Sequence, residues 1–176
     1  MIKEKIIIFV IFIILQTSAF SADISTSSSK SKSDGRDDDT NLIAKKSKNF
    51  IKALNLIKRG KKYNKKGKTE QASEKFEKAI QYLLLSRKVA PNNPDVLKYL
   101  GFTYKMLGDF TMAEIYYLEG LEINPTHNGL NEYLGKLFLQ TNRINKANER
   151  LEVLENCKCE EFEELNIAIK KGVSKY

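Results

Sequence analysis

The chain repeats its own residue pattern at a spacing of 34 positions, and this period constrains the fold more than any other feature. A single helical hairpin cannot bury its apolar face alone, so a period of this length is typical of stacked hairpins in a solenoid. The pattern therefore predicts an all-α fold. The matching residues are Phe76 with Phe110, Ala79 with Ala113, Ala113 with Ala147, Pro91 with Pro125, and Leu100–Gly101 with Leu134–Gly135.

Residues 94–127 resemble a tetratricopeptide repeat. The segment departs from the family pattern at Leu97, where the family often has Trp, and at Gly120, where it usually has Ala. Residues 128–161 match more loosely, with Asn142 at a Gly position of the pattern. The positions of 94–127 that carry the resemblance are Leu100, Gly101, Tyr104, Gly108, Ala113, Tyr117 and Pro125.

The resemblance implies a short right-handed helical solenoid of about three repeats plus a C-terminal capping helix. We expect a helical domain over 42–176, with repeats at about 46–93, 94–127 and 128–161 and the capping helix at about 160–171. Apolar residues of the first helix follow the i, i+3, i+4, i+7 spacing in "NFIKALNLIKRGKKY". The helices are predicted near 42–63, 69–89, 94–107, 110–123, 128–140, 144–156 and 160–171.

The N-terminus has the layout of a secretory signal peptide over residues 1–22. Lys3 and Lys5 precede a ten-residue apolar run, which is shorter than the ~20 residues of a membrane span. This layout predicts export to a periplasm or the outside, and the alternative is an uncleaved N-terminal anchor. Residues 23–41 are rich in Ser and Asp, and we expect a disordered linker there.

Charge is distributed unevenly along the chain. Residues 42–90 hold 15 Lys and Arg against 3 Glu, whereas residues 94–164 hold 7 basic and 13 acidic residues. The basic region 45–68 is either a solvated helix face and loop or a surface for anionic lipid or polymer. Export argues against a nucleic acid partner.

The sequence contains no recognisable catalytic set, so we expect a non-enzymatic protein without cofactor or metal. His127 is the single His, and structural zinc takes four ligands. Cys157 and Cys159 are separated by one residue, and export would place them in an oxidising compartment. Two interpretations stay open: a disulfide between them, or two cysteines that only fill turn and core positions.

The resemblance also implies where a partner binds, because the first helix of each hairpin lines the concave face of such arrays. Tyr99, Phe102 and Tyr133 would form a strip open to solvent, unless a flanking helix or the linker covers it. Lys98 fits a family pattern that grips the C-terminal carboxylate of chaperones, but Phe102 and Tyr133 replace its Asn residues. The candidate partner-binding residues are Lys98, Tyr99, Phe102, Lys105, Met106, Tyr133, Lys136 and Gln140.

Three functional hypotheses follow. The first is an exported adaptor that binds a protein or peptide on the concave face. The second is an envelope-structure or assembly factor whose basic half contacts anionic lipid or polymer. The third is a thiol/disulfide redox partner that acts through Cys157 and Cys159.

Overall fold

The computed structural model describes the backbone of residues 36–172 and the side chains of residues 48–172. These residues form seven α-helices and contain no strand, which confirms the predicted all-α repeat fold. All seven helices belong to one unit, Asp34–Tyr176. They are α1 Arg36–Asn64, α2 Thr69–Val89, α3 Pro94–Met106, α4 Phe110–Ile123, α5 Asn128–Gln140, α6 Ile144–Leu154 and α7 Glu160–Lys171.

The first helix is longer than predicted. It begins at Arg36, inside the segment 23–41 that was expected to be a linker, and six residues before the predicted start. The sequence "RDDDT" opens this helix, and acidic residues at a helix start are favoured by the helix dipole, whatever the polarity of the segment. The signal peptide prediction over 1–22 and the remaining linker prediction over 23–35 lie outside the described residues.

Side-chain caps mark the starts of α3 and α4. Asn93 Oδ1 accepts hydrogen bonds from the backbone N–H groups of Asp95 and Val96, at 3.0 and 3.3 Å, at the start of α3. Asp109 Oδ1 accepts from the Met112 N–H at the start of α4, at 3.0 Å. Such caps satisfy N–H groups that the first helical turn leaves without partners, so both helices of the central hairpin start at a defined residue.

The hairpin turns of the second and third repeats share a left-handed residue. Gly108 has φ 84° between α3 and α4, and Asn142 has φ 60° between α5 and α6. Gly adopts this conformation freely, and Asn tolerates it better than most residues do. Asn142 therefore serves where the repeat pattern has Gly.

The helices pack as consecutive pairs. Helix α1 packs on α2, α3 on α4 and α5 on α6, while α7 contacts α5 and α6. Small residues allow the close approach, and Ala53, Ala113 and Ala147 are each 0% exposed. Leu165 of α7 covers Gly135 of α5, where a Cβ would lie 2.6 Å from Leu165 Cδ2. Helix α7 thus covers the last apolar face, as an end helix must in a solenoid.

None of the described helices combines the length and the hydropathy that a membrane crossing requires.

Candidate partner-binding groove

An open groove of about 650 Å³ lies between the C-terminal half of α1 and the α3 residue Tyr99. Helices α1 and α3 are each the first helix of a hairpin. The groove is lined by two aliphatic residues, one aromatic residue and five lysines: Leu54, Ile57, Tyr99, Lys58, Lys61, Lys62, Lys65 and Lys66.

The floor of this groove is apolar. Ile57 is 5% exposed, and Leu54 and Tyr99 are half-buried. The Tyr99 ring is held from two sides, because Phe50 of α1 meets it edge to face with ring centroids 5.7 Å apart and Lys98 Nζ lies 4.9 Å from its centroid. The floor can therefore accept an apolar side chain without a large rearrangement of Tyr99.

The rim of the groove is cationic. Its lysines occupy positions 58, 61, 62, 65 and 66, so the helical period of α1 places them along one stripe that continues into the following turn. All five side chains are exposed. Within the described part of the chain, no carboxylate lies within salt-bridge distance of any of them. The groove thus combines an apolar floor with a row of lysines that form no salt bridge within the described residues.

The expected strip of open aromatic residues is not formed as predicted. Phe102 is only 3% exposed, so its expected place on an open surface is wrong. Its ring lies 5.6 Å from the Tyr133 ring, and Lys61 Nζ of α1 lies 5.4 Å from its centroid. The physical reason is that side chains from three first helices, Lys61 of α1, Lys105 of α3 and Tyr133 of α5, surround the Phe102 ring.

Two lysines that were expected on the open face are also buried. Lys105 is 5% exposed, and burial together with the nearby Lys136 lowers its pKa to about 8. Lys136 is 2% exposed, and its Nζ donates to carboxylate oxygens of Glu132 and Glu164. Glu164 comes from α7, so the end helix contributes to the burial of Lys136.

The buried charge cluster on α5 has unusual titration properties. Glu132 is 5% exposed, and burial raises its pKa to about 7, although the hydrogen bond from Lys136 opposes the shift. For Glu164 the direction is reversed, because the hydrogen bond from Lys136 lowers its pKa. Lys136 therefore donates to two carboxylates, and the more exposed one, Glu164, has the lower pKa.

The other candidate residues remain at least partly accessible. Gln140 is exposed, while Lys98, Met106 and Tyr133 are half-buried. Lys98 is engaged with Asp95, at an Nζ–Oδ1 distance of 2.6 Å, and Tyr133 also packs edge to face on Tyr117 with centroids 6.2 Å apart. Of the predicted residues, only Tyr99 lines the groove.

The cysteines and the histidine lie at helix starts. Cys157 and Cys159 are joined by a disulfide immediately before α7. His127 precedes α5, where its Nδ1 accepts a hydrogen bond from the Leu130 N–H at 3.3 Å and its Nε2 lies 3.5 Å from Asp95 Oδ1. Within residues 48–172, no group of three or more His, Cys, Asp and Glu side chains is placed to hold a metal ion.

The groove residues on α1 were not singled out from the sequence. The prediction of a solvated face or an anion-binding surface for the basic run gives no role to its apolar neighbours. The available signal was the spacing, because Leu54 and Ile57 lie one turn before the lysine stripe. Only the contact with Tyr99, which is more than 30 positions away in the chain, turns that stripe into a groove.

One repeat of the chain matches a known family. Residues 94–127 match the family model of the tetratricopeptide repeat. A segment of 49 residues is 43% identical to anaphase-promoting complex subunit 6 of Dictyostelium discoideum. The segment is 28% of this chain and 6% of that subunit, so the chain corresponds to a small part of this relative.

Solved structures share the fold. The first tetratricopeptide repeat domain of Spaghetti (RPAP3), bound to the HSP90 peptide SRMEEVD, superposes with a TM-score of 0.50 at 23% identity, over 71% of this chain and 95% of that chain. The Arabidopsis OM64 domain gives 0.50 at 13% identity, over 71% and 99%. The Yersinia enterocolitica chaperone SycD, in its alternative dimer, gives 0.50 at 16% identity, over 70% and 89%.

Proposed function

Because the chain is a tetratricopeptide repeat protein, we propose that it is a non-enzymatic adaptor that binds a segment of a partner protein in the groove between α1 and Tyr99. The observation that carries this proposal is the apolar floor beside a rim of five lysines, none of which forms a salt bridge with a described carboxylate. An acidic peptide segment with at least one apolar side chain complements both parts of the groove. Apolar burial would supply affinity, and the lysines would steer the approach of the acidic segment.

The Spaghetti structure supports this choice of ligand chemistry. Its bound peptide, SRMEEVD, combines three acidic residues with Met and Val. At 23% identity the likeness does not transfer that peptide to this chain. The combination of acidic and apolar residues is what the groove of α1 and Tyr99 also fits.

The lysine rim alone would suit any polyanion, including an anionic membrane surface. The half-buried Tyr99 and the buried Ile57 favour a peptide, because a purely electrostatic contact needs no apolar floor. Binding to anionic lipid through the basic region 45–68 is therefore a competing outcome of the test.

The chain should act outside the cytoplasm if residues 1–22 are a cleaved signal peptide, as their layout suggests. N-terminal sequencing of the protein isolated from its native source tests this part. A mature N-terminus near residue 23 supports export, and a chain that starts at Met1 in the cytoplasmic fraction contradicts it.

The binding proposal is tested by selecting random displayed peptides on the purified chain without residues 1–22. We expect the enriched peptides to be acidic and to contain an apolar residue. The variant Lys58→Glu/Lys65→Glu should bind them at least about tenfold more weakly, since two exposed rim charges are reversed. The matched control Lys88→Glu/Lys170→Glu has the same net charge, with exposed lysines changed on α2 and α7.

Three results would contradict the proposal: no enrichment of acidic peptides, an equal loss of binding in both double variants, or binding to phosphatidylserine vesicles without any peptide binding. The last result would support the membrane hypothesis instead.

A further inference from the structure

The disulfide between Cys157 and Cys159 closes over a single residue in the turn that joins α6 to α7. The two Cα atoms are 5.2 Å apart. Lys158, between them, has φ 50°, which places a residue other than Gly in the left-handed region. This conformation is unfavourable for Lys and is maintained by its surroundings, of which the disulfide is a part.

The disulfide contributes little to the stability of the fold. A disulfide stabilises mainly by shortening the loops of the unfolded chain, and the effect is smallest for the shortest loop. The turn is also held without it. Leu154 and Leu165, which flank the turn, are both 0% exposed, and Glu164 of α7 is paired with Lys136. The position of α7 therefore rests on packing and on an ion pair.

The bond is also accessible. Both cysteines are only half-buried, and their neighbours Asn156, Lys158 and Glu160 are exposed. A thiolate that attacks a disulfide needs a path to sulfur, and the exposed neighbours on both sides leave that path open. Unlike a core disulfide, this one can be reached in the folded protein.

We propose that Cys157 and Cys159 form a thiol–disulfide exchange site whose co-reactant is a dithiol of another molecule. One thiolate of the dithiol attacks the Sγ of one cysteine, which breaks the protein disulfide and forms a mixed disulfide. The other cysteine leaves as a thiolate and takes up a proton. The second thiolate of the dithiol then displaces the remaining cysteine. The protein disulfide gains two electrons and two protons, and the dithiol is oxidised to a disulfide.

Opening of the bond has a local structural consequence. Lys158 is then free to leave the left-handed region, which favours the reduced form of the turn. The contacts of Leu165 with Gly135 do not pass through the sulfur atoms, so α7 stays docked. The site can therefore cycle between its two forms in a protein that remains folded.

The first test compares reduction of the folded and the unfolded chain. The oxidised protein is incubated with dithiothreitol in native buffer and, in parallel, in guanidinium chloride, and free thiols are then blocked with N-ethylmaleimide and counted by intact mass. We expect the two rates to agree within about tenfold, because the folded chain does not shield the bond. A rate in the folded chain that is lower by about a hundredfold or more would overturn the proposal.

The second test separates exchange from a structural role. Each single variant, Cys157→Ser and Cys159→Ser, should form a mixed disulfide with oxidised glutathione under native conditions. The double variant Cys157→Ser/Cys159→Ser should keep the circular dichroism and the melting temperature of the parent. Failure of both single variants to form the mixed disulfide, or unfolding of the double variant, would show that the bond is not an exchange site.

Discussion

Gly101 of α3 lies directly against the ring of Tyr117 on α4. A Cβ at residue 101 would be 2.4 Å from Tyr117 Cε1 and 2.9 Å from the backbone oxygen of Ala113. The Tyr117 ring is 0% exposed, and the Ala113 backbone belongs to the helix that carries it, so neither group can move away cheaply. This contact sets how closely the two helices of the central hairpin approach one another.

Replacement of this glycine tests the contact. Gly101→Ala gains up to ~1 kcal/mol of helix propensity. It should nevertheless lower the free energy of unfolding by ~1–3 kcal/mol, since the added methyl group overpacks the hairpin. Urea unfolding measures the difference. Gly129→Ala is the matched control, because its Cβ would meet the Cδ of the flexible Lys98 side chain at 3.0 Å. If Gly101→Ala lowers the free energy of unfolding no more than Gly129→Ala does, the close contact is contradicted.

The same hairpin should resist a larger side chain at Ala113. This residue is 0% exposed at the crossing of α3 and α4. Ala113→Leu should therefore cost ~1–3 kcal/mol of stability, because the core has no room for three more carbon atoms. Thr111→Leu, at an exposed position of the same helix, is the control in thermal melts. If Ala113→Leu melts like the parent, residue 113 does not lie between the helices.

Substitution of Phe102 should lower stability, whereas substitution of Tyr99 should weaken peptide binding. Phe102→Ala empties a site that is 3% exposed and should cost ~3–5 kcal/mol of folding free energy. Tyr99→Ala removes a half-buried ring that lines the groove. It should weaken capture of a selected acidic peptide by ~1–3 kcal/mol while the helical signal is retained. Chemical unfolding and fluorescence anisotropy of a labelled peptide measure the two effects. Unchanged peptide affinity in Tyr99→Ala would remove Tyr99 from the binding site.

Glu132 should make stability depend on pH in a defined direction. Its pKa is raised by burial from 4.5 to about 7 in the folded chain. Between those values the folded protein keeps a proton that the unfolded chain releases, so the contribution of this group to stability falls as the pH rises. A Gln side chain at this position is neutral at every pH in that range. The variant Glu132→Gln should therefore gain stability relative to the parent between pH 5 and pH 8, measured by urea unfolding at both values.

The control for this pH effect is Glu149→Gln, at an exposed position of α6. Its stability relative to the parent should change much less between the two pH values. If the free energy of unfolding changes with pH equally in Glu132→Gln and in the parent, the folded state does not raise the pKa of Glu132.

Local interactions explain which parts of the fold could be predicted. The period of 34 positions, the capping residues and the small residues at helix crossings depend on neighbours within one hairpin or the next. The bounds of α2, α4, α5 and α7 therefore agree with the prediction, and α3 and α6 end one and two residues earlier than predicted. The start of α1 was missed, because the polarity of its first residues resembles that of a linker.

The sequence by itself determined that this chain stacks helical hairpins, because the apolar period and the turn residues act over short separations in the chain. Only the tertiary structure decided which residues of the concave face stay open. Lys61 of α1 lies against the Phe102 ring, and Glu164 of α7 pairs with Lys136, across separations of 41 and 28 positions. Such long-range contacts depend on how whole helices pack, which no local pattern encodes, and they leave the lysine-rimmed groove beside Tyr99 accessible.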